Sequence, residues 1–307
     1  MPISRREFFK RGLVLTGGML LPRWAWAEEA SQGAEMPDVV HVTGGAPEEA
    51  VRAAVERLGG MGKFVRRGQK VVISPNVGFP NPPEMATTTD PRVITAVIDL
   101  CKDAGAGRIT VANYPVRDPS LCFEQSGIGD LARLNGVNVM VLNSGSAYTE
   151  VRIPNAVEVG EVEVATVVRE SDVLIVVPIA KTHSSTVVSF AMKGMMGLIK
   201  SRGLFHARYD LHQAIVDLSK VIRADLVITD AQRALVTRGP GGPGRVEMPG
   251  AILAGTNQTM VDAYTVGLAH WYNRSSTADQ IQHLKLAHEQ GLGVIDVSAM
   301  KVARVTL

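Results

Sequence analysis

Residues 173–197 read VLIVVPIAKTHSSTVVSFAMKGMMG. Five consecutive aliphatic residues, Val173 through Val177, stop at Pro178. A short, continuous apolar run bounded by a proline fits a strand covered on both faces, as strands of parallel sheets are. Lys181, Thr182 and His183 follow at once, and a second lysine, Lys193, stands inside a Met- and Gly-rich segment. The pattern predicts a strand, a polar strand end, and a helix beginning near Ser184 or Ser185 that carries Lys193. Met192, Met195, Met196 and Leu198 have the character of a core. Lys193 must therefore reach solvent along its own stem or meet a partner inside.

Similar short apolar runs occur at residues 71–73, 109–111, 137–142 and 226–228. Helical patterns alternate with them. The clearest covers residues 91–104, with Asp90 as N-cap, Pro91 in the first position and Val93, Val97, Leu100 and Cys101 on one face; Gly105 ends it. A second covers 209–223, striped by Leu211, Ile215, Leu218 and Ile222. Two more are expected at 258–271 and 278–289. Strand and helix in alternation predict an α/β fold, a largely parallel central sheet with helices on both faces. Residues 151–165, VRIPNAVEVGEVEVA, alternate in short pieces and predict an inserted β-hairpin.

The N-terminus sets the expected compartment. Ser4-Arg5-Arg6-Glu7-Phe8-Phe9-Lys10 resembles a twin-arginine export signal, with an apolar stretch over residues 12–21 and Ala25-Trp26-Ala27 as a cleavage site. The expected organisation is a signal at 1–27, a mobile lead-in at 28–37 and a single α/β domain at 38–307. The expected location is the periplasm, reached through the twin-arginine machinery. The formal charge of the whole chain is +2, but Arg5, Arg6, Lys10, Arg11 and Arg23 stand against only Glu7 in the signal. The remainder is slightly acidic, carries no run of like charges and has few aromatics, which argues against a nucleic-acid partner. Two cysteines, Cys101 and Cys122, are too few for an iron–sulfur cluster within this chain. They can pair in an oxidising compartment or remain buried thiols.

Ligands of open parallel sheets sit beyond the carboxyl ends of the strands, and that rule selects segments here. After the first strand comes Asn76 in a proline-stiffened loop, then Thr87-Thr88-Thr89-Asp90 at a helix start, suited either to an anion or simply to capping. The second strand ends at Asn113. After the strand Val173 to Val177, Lys181 and His183 can bind an anion, exchange protons or, through the imidazole, ligate a metal. Farther on stand His206, Asp230 at a strand end, and a Gly/Pro loop, residues 239–244, that lacks the order of a nucleotide-binding loop and reads either as plain loop or as a lid whose Arg238 reaches an anion. His206 and His212 are not at the spacing of a helical metal pair. Asp262 reads as an internal hydrogen-bonding residue.

These residues in this order resemble the domain-of-unknown-function 362 family. The resemblance rests on Pro75-Asn76, residues 87–90, Pro178 with Lys181-Thr182-His183, Lys193-Gly194 with Gly197, His206, Asp230, and Gly239-Pro240 with Gly244. It implies a shared α/β fold and a shared polar cluster, but no settled reaction. Members often show asparagine after the lysine that matches Lys193, where this chain has Gly194. Some carry an added ferredoxin-like module, for which this chain has no cysteine pattern. A more distant similarity to lactate-racemase-type proteins lies in the threonine-rich turn and the lysine–histidine chemistry.

The expected function is an exported enzyme using a metal ion or organic cofactor on a small anionic substrate, by redox or proton-transfer chemistry. Lys181, His183 and Lys193 are its candidate catalytic residues. Asn76, Thr87, Thr88, Thr89, Asn113 and Arg238 are candidate cofactor contacts, and His183, His206 and Asp230 a candidate metal set. The competing expectation is a non-catalytic periplasmic binding or accessory protein serving a respiratory or metal-containing enzyme, with a homo-oligomer or a periplasmic protein as partner.

Overall fold

A computed structural model describes residues 36–307. The export-signal expectation for residues 1–27, and residues 28–35 of the expected lead-in, lie outside the described residues. The chain opens with β1 (Val39–Thr43), α1 (Pro47–Arg57), β2 (Lys70–Pro75), α2 (Pro91–Asp103), β3 (Arg108–Asn113), α3 (Pro119–Gln125), α4 (Leu131–Asn135) and β4 (Asn138–Val141). A separate hairpin follows, β5 (Tyr148–Arg152) with β6 (Glu161–Ala165), and then α5 (Thr166–Arg169), β7 (Val173–Val177), β8 (Ile179–His183) and β9 (Val187–Ser189). Next come α6 (Ala191–Gly194), α7 (Arg202–Ala207), α8 (Leu211–Ser219) and the long β10 (Leu226–Leu235). The chain closes with β11 (Val246–Glu247), β12 (Ala251–Gly255), α9 (Gln258–Val266), α10 (Gln282–Glu289) and β13 (Val302–Thr306).

The sheet runs β13-β1-β12-β10-β7-β2-β3-β4. Along this path every neighbour pair is parallel except those made by β12. This is the expected α/β architecture with a largely parallel sheet and an inserted hairpin. The period of two in each strand divides its side chains between two cores. Val173, Ile175 and Val177 face one core with α1 and α2, while Leu174 and Val176 face the other with α8, α9 and α10. Both sets are buried, which is why the strand has no polar face. Burial of each such aliphatic side chain is worth about 1.5–3 kcal/mol.

Helix α2 forms as its sequence suggests. The Asp90 carboxylate accepts from the Arg92 amide, Pro91 fills the first helical position, and Gly105 leaves the helix with φ +83°. Cys101 and Cys122 are free and buried thiols, and burial pushes the Cys101 thiol up to about 12. No helix among the described residues is long and apolar enough to cross a membrane.

One expectation is corrected. No helix begins at Ser184 or Ser185; the Lys-Thr-His segment is itself a strand. Pro178 ends the ladder between β7 and β2, and β8 continues alongside the second half of β10, with Asp230 paired to Ile179 and Leu235 to Lys181. Residues 184–186 then turn the chain back into β9, which pairs antiparallel with β8. The ten-residue β10 thus acts as a shelf that carries β8 past the carboxyl edge of the parallel sheet.

Candidate functional site

Period two along β8 sends Lys181 and His183 to one side and Thr182 to the other. Thr182 is spent on structure: its hydroxyl donates to the Leu235 carbonyl and accepts from the Gly239 amide. A Cβ at position 239 would lie 1.9 Å from the Thr182 carbonyl oxygen, so only glycine lets the loop approach this strand. Asn81 donates to the Gly241 carbonyl and fastens the same loop to the segment after β2. The Gly/Pro loop is therefore a wall braced against β8. Arg238 is exposed on it and does not line the cleft, contrary to the expectation that it reaches an anion there.

Lys181 and His183 open onto a cleft of about 430 Å³ that is also lined by Asn76, Asn113, Lys193 and His206. This volume falls within the usual range for small-molecule sites, roughly 300–1,000 Å³. Six of the expected residues thus converge at the carboxyl edge of the sheet. Asn76 is fixed by its backbone, which exchanges hydrogen bonds with Thr89, and by its Oδ1, which accepts from the Ile179 amide. Asn113 donates from Nδ2 to Ser74 Oγ and packs against Gly197, where a Cβ would lie 2.4 Å from Nδ2. The Gly197 carbonyl accepts from the Tyr114 amide and closes this side.

Lys193 projects from α6, a single turn whose first amides, at Ala191 and Met192, both donate to the Asp262 carboxylate. Asp262 is accordingly the internal hydrogen-bonding residue expected, and its task is to position the helix that bears Lys193. The Lys193 Nζ lies 3.4 Å from His206 Nε2 on α7. Lys181 donates from Nζ to the Thr87 carbonyl at 2.6 Å and stands 5.5 Å from the centre of the Phe79 ring. Neither lysine is in a salt bridge with a carboxylate among the described residues. Both are more than nine-tenths buried, at 4% and 8% exposure.

Unpaired burial disfavours the ammonium form. Burial, with Lys193 as a neighbouring positive charge, brings Lys181 down to about 7. Burial and the Arg202 guanidinium do the same to Lys193. Burial first, and then Lys193, His206 and Lys181, push His183 down to about 3, which leaves it neutral. Its Nδ1 accepts the Ser185 amide, so the ring proton resides on Nε2. The ring stacks on His206, with centroids 5.6 Å apart.

Several residues of the site were not anticipated. Arg202 donates to the Tyr114 and Pro115 carbonyls and lies 4.5 Å over the Tyr114 ring, tying α7 to the end of β3. Tyr114, Phe79, Ser184, Ser185 and Ser189 also line the cleft. Arg202 stands two residues from Lys200, and nothing in the sequence pattern separates the two. A second imidazole pair, His212 and His283, stacks at 6.0 Å deeper in the fold.

The threonine turn and Asp230 are corrected. Thr87, Thr88 and Thr89 are fully buried and none lines the cleft. The Thr89 hydroxyl donates to the Val177 carbonyl and accepts from the Asn76 amide, and the Thr87 hydroxyl accepts from Asn81. Only the Thr87 carbonyl touches the site, through Lys181. Asp230 does not join His183 and His206. Its carboxylate accepts from the Asp90 and Gln232 amides, and burial pushes it up to about 7. No group of three or more His, Cys, Asp or Glu side chains suited to a metal ion occurs among the described residues.

Comparison with known proteins adds a family. A family model described as Domain of unknown function (DUF362) matches residues 71–267. A thylakoid-associated protein of Synechocystis sp. is 27% identical over 199 residues, covering 62% of this chain and 60% of that protein. The chain thus spans less than two thirds of that relative's length. Among solved structures, the lactate racemase apoprotein from Thermoanaerobacterium thermosaccharolyticum aligns with a TM-score of 0.48 at 12% identity, over 75% of this chain and 57% of the other. A protein from Thermotoga maritima aligns with a TM-score of 0.40 at 11% identity, over 80% and 60%.

Proposed function

The chain belongs to the family of the Domain of unknown function (DUF362), and we propose that its cleft takes a small anion, a carboxylate or phosphate, for proton-transfer chemistry. The observation that carries this reading is the pair Lys181 and Lys193, both more than nine-tenths buried, facing one cleft and without a carboxylate partner among the described residues. A buried cation needs a counter-charge, and a ligand anion supplies one. The side-chain amides of Asn76 and Asn113 orient it by hydrogen bonds. A lysine near neutrality accepts or releases a proton at ordinary pH, and His183 offers Nε2–H as a neutral donor. In this role Lys181, Lys193 and His183 touch the substrate, while Asp262 and Ser185 position them.

The test is a binding screen of monocarboxylates, dicarboxylates and inorganic phosphate by ligand-observed NMR on the purified protein. Saturable binding lost in both Lys181→Met and Lys193→Met supports the reading; no binding by any of these anions overturns it. Binding without turnover of any bound anion would leave the protein a carrier. Export belongs to the same reading and rests on residues 4–27. Replacing Arg5 and Arg6 by lysine is expected to retain the protein inside the cell, and unchanged fractionation would refute the export route.

A further inference from the structure

Two buried lysines in one cleft are not equivalent. Lys181 Nζ is engaged: it donates to the Thr87 carbonyl at 2.6 Å and lies against the Phe79 ring. Lys193 Nζ has one hydrogen-bonding partner among the described residues, of another kind, the Nε2 of His206 at 3.4 Å. An amine beside an imidazole, buried yet open to a cleft, is the arrangement of a nucleophile with its proton carrier. His206 is itself exposed, so its ring exchanges protons with solvent.

We propose that Lys193 captures 2-oxo acids covalently, as an imine formed at its Nζ, while Lys181 holds their carboxylate and His206 carries the proton. This rests on the anion-binding reading above and adds a substrate class to it. The lone pair of the uncharged Nζ attacks the carbonyl carbon, a C–N bond forms, and the C=O π pair goes to oxygen. His206 relays the amine proton to that oxygen. His206 then delivers a proton to the carbinolamine hydroxyl, which leaves as water while the nitrogen lone pair forms the C=N bond, and the proton remaining on nitrogen returns to His206. One amine and one carbonyl thus give one imine and one water, with no oxidant or reductant. The side-chain amides of Asn76 and Asn113, both lining the cleft, donate to the carboxylate and to the carbinolamine oxygen.

Two features suit Lys193 to the reaction, the second of them shared with Lys181. The Asp262 carboxylate accepts from the Ala191 and Met192 amides at the start of α6, so the lysine does not swing with a loose loop. Burial and the Arg202 guanidinium bring it down to about 7, so a large share is uncharged at neutral pH. A surface lysine near its ordinary value would be almost wholly protonated.

The experiment incubates the full protein with pyruvate, a small 2-oxo acid, and adds borohydride. Intact mass and peptide mapping follow, with propionate as the carboxylate lacking a carbonyl. Pyruvate binding is measured in parallel by ligand-observed NMR. The expected result is one reduced pyruvyl adduct per chain, mapped to Lys193, suppressed by excess propionate and reduced to background in Lys193→Arg. Mapping on the unsubstituted protein keeps the test independent of whether that variant folds. Pyruvate that binds but yields no adduct, or adducts spread over surface lysines, overturns the imine and leaves the anion site standing. Failure of both pyruvate and propionate to bind overturns the imine and counts against the anion site as well.

Discussion

Replacing Lys193 by methionine keeps the length and apolar stem of the side chain and removes its amine. In the fold Lys193 lines the cleft, and its amine has one hydrogen-bonding partner among the described residues, His206 Nε2 at 3.4 Å, so no buried acceptor is orphaned by the change. The wild-type group falls from 10.5 to about 7 on folding, with burial as the larger cause. A group whose folded value is depressed binds fewer protons in the native state, so below about 7 it weakens the fold in full. As pH rises from there towards the unfolded value, that cost disappears at up to tenfold in the folding constant per pH unit, about 1.4 kcal/mol. Lys193→Met should therefore stabilise the ligand-free protein at neutral pH by on the order of 2–4 kcal/mol, allowing for relaxation around the charge. Urea unfolding at about pH 7 and about pH 9.5 reads both consequences, since the midpoint shift reports stability directly. The wild type should gain stability towards the alkaline side, and the variant should gain roughly half as much, because Lys181 still titrates. A variant that is destabilised at neutral pH with an unchanged alkaline slope would refute the idea that Lys193 is an uncompensated buried amine.

Other substitutions probe the walls of the cleft. Gly239→Ala places a Cβ 1.9 Å from the Thr182 carbonyl, a backbone atom that cannot swing aside; a loss of about 3 kcal/mol in a denaturant melt is expected. Gly197→Ala directs its clash at the Asn113 side chain, 2.4 Å away, so anion affinity should fall by about tenfold for a stability cost of only about 1–2 kcal/mol. Asp262→Asn can satisfy only one of the two α6 amides that the carboxylate now holds, and about 1–3 kcal/mol of stability should be lost. Because burial pushes Asp262 up to about 7, the native state keeps its proton longer than the unfolded chain. That contribution is complete below the unfolded value and is lost as pH rises through the folded one, and the variant should lack this acid-side component in pH-dependent melts.

The strands that could be read from sequence were those with aliphatic residues on both faces. The run at Val173–Val177 is legible because both cores demand the same chemistry of it. β1, β12 and β13 passed unrecognised. β12 is short and small in Ala251–Gly255, and β13 at the edge mixes polar residues with aliphatics. The Lys-Thr-His strand shows a different limit. Its alternation correctly puts Lys181 and His183 together, but a wholly buried segment with three polar residues does not look like a strand until β10 is seen running on beside it. The site followed the same division. Asn76, Asn113, Lys181 and His183 are legible from strand ends, Lys193 as a lone cation in an apolar segment, and His206 from its place in the family's order of residues; all six line the cleft. Thr87–Thr89 have the composition of an anion cradle, yet tertiary packing turns their hydroxyls to Asn81, Asn76 and the Val177 carbonyl. Arg202 was missed because its value comes from Tyr114, distant in sequence and stacked beneath it.

On the proposed function, Lys181 and Lys193 await an anion as their counter-charge, and proton uptake on binding is the quantity that decides it. Calorimetry with propionate and with sulfate, at neutral pH in buffers of different ionisation enthalpy, gives the number of protons taken up per anion. Both lysines titrate near 7 when the cleft is free. A bound anion restores their charged forms, so uptake of about one proton per chain is predicted, falling to zero when both are methionine. Binding with no proton uptake, or binding that survives the double substitution, would contradict the account.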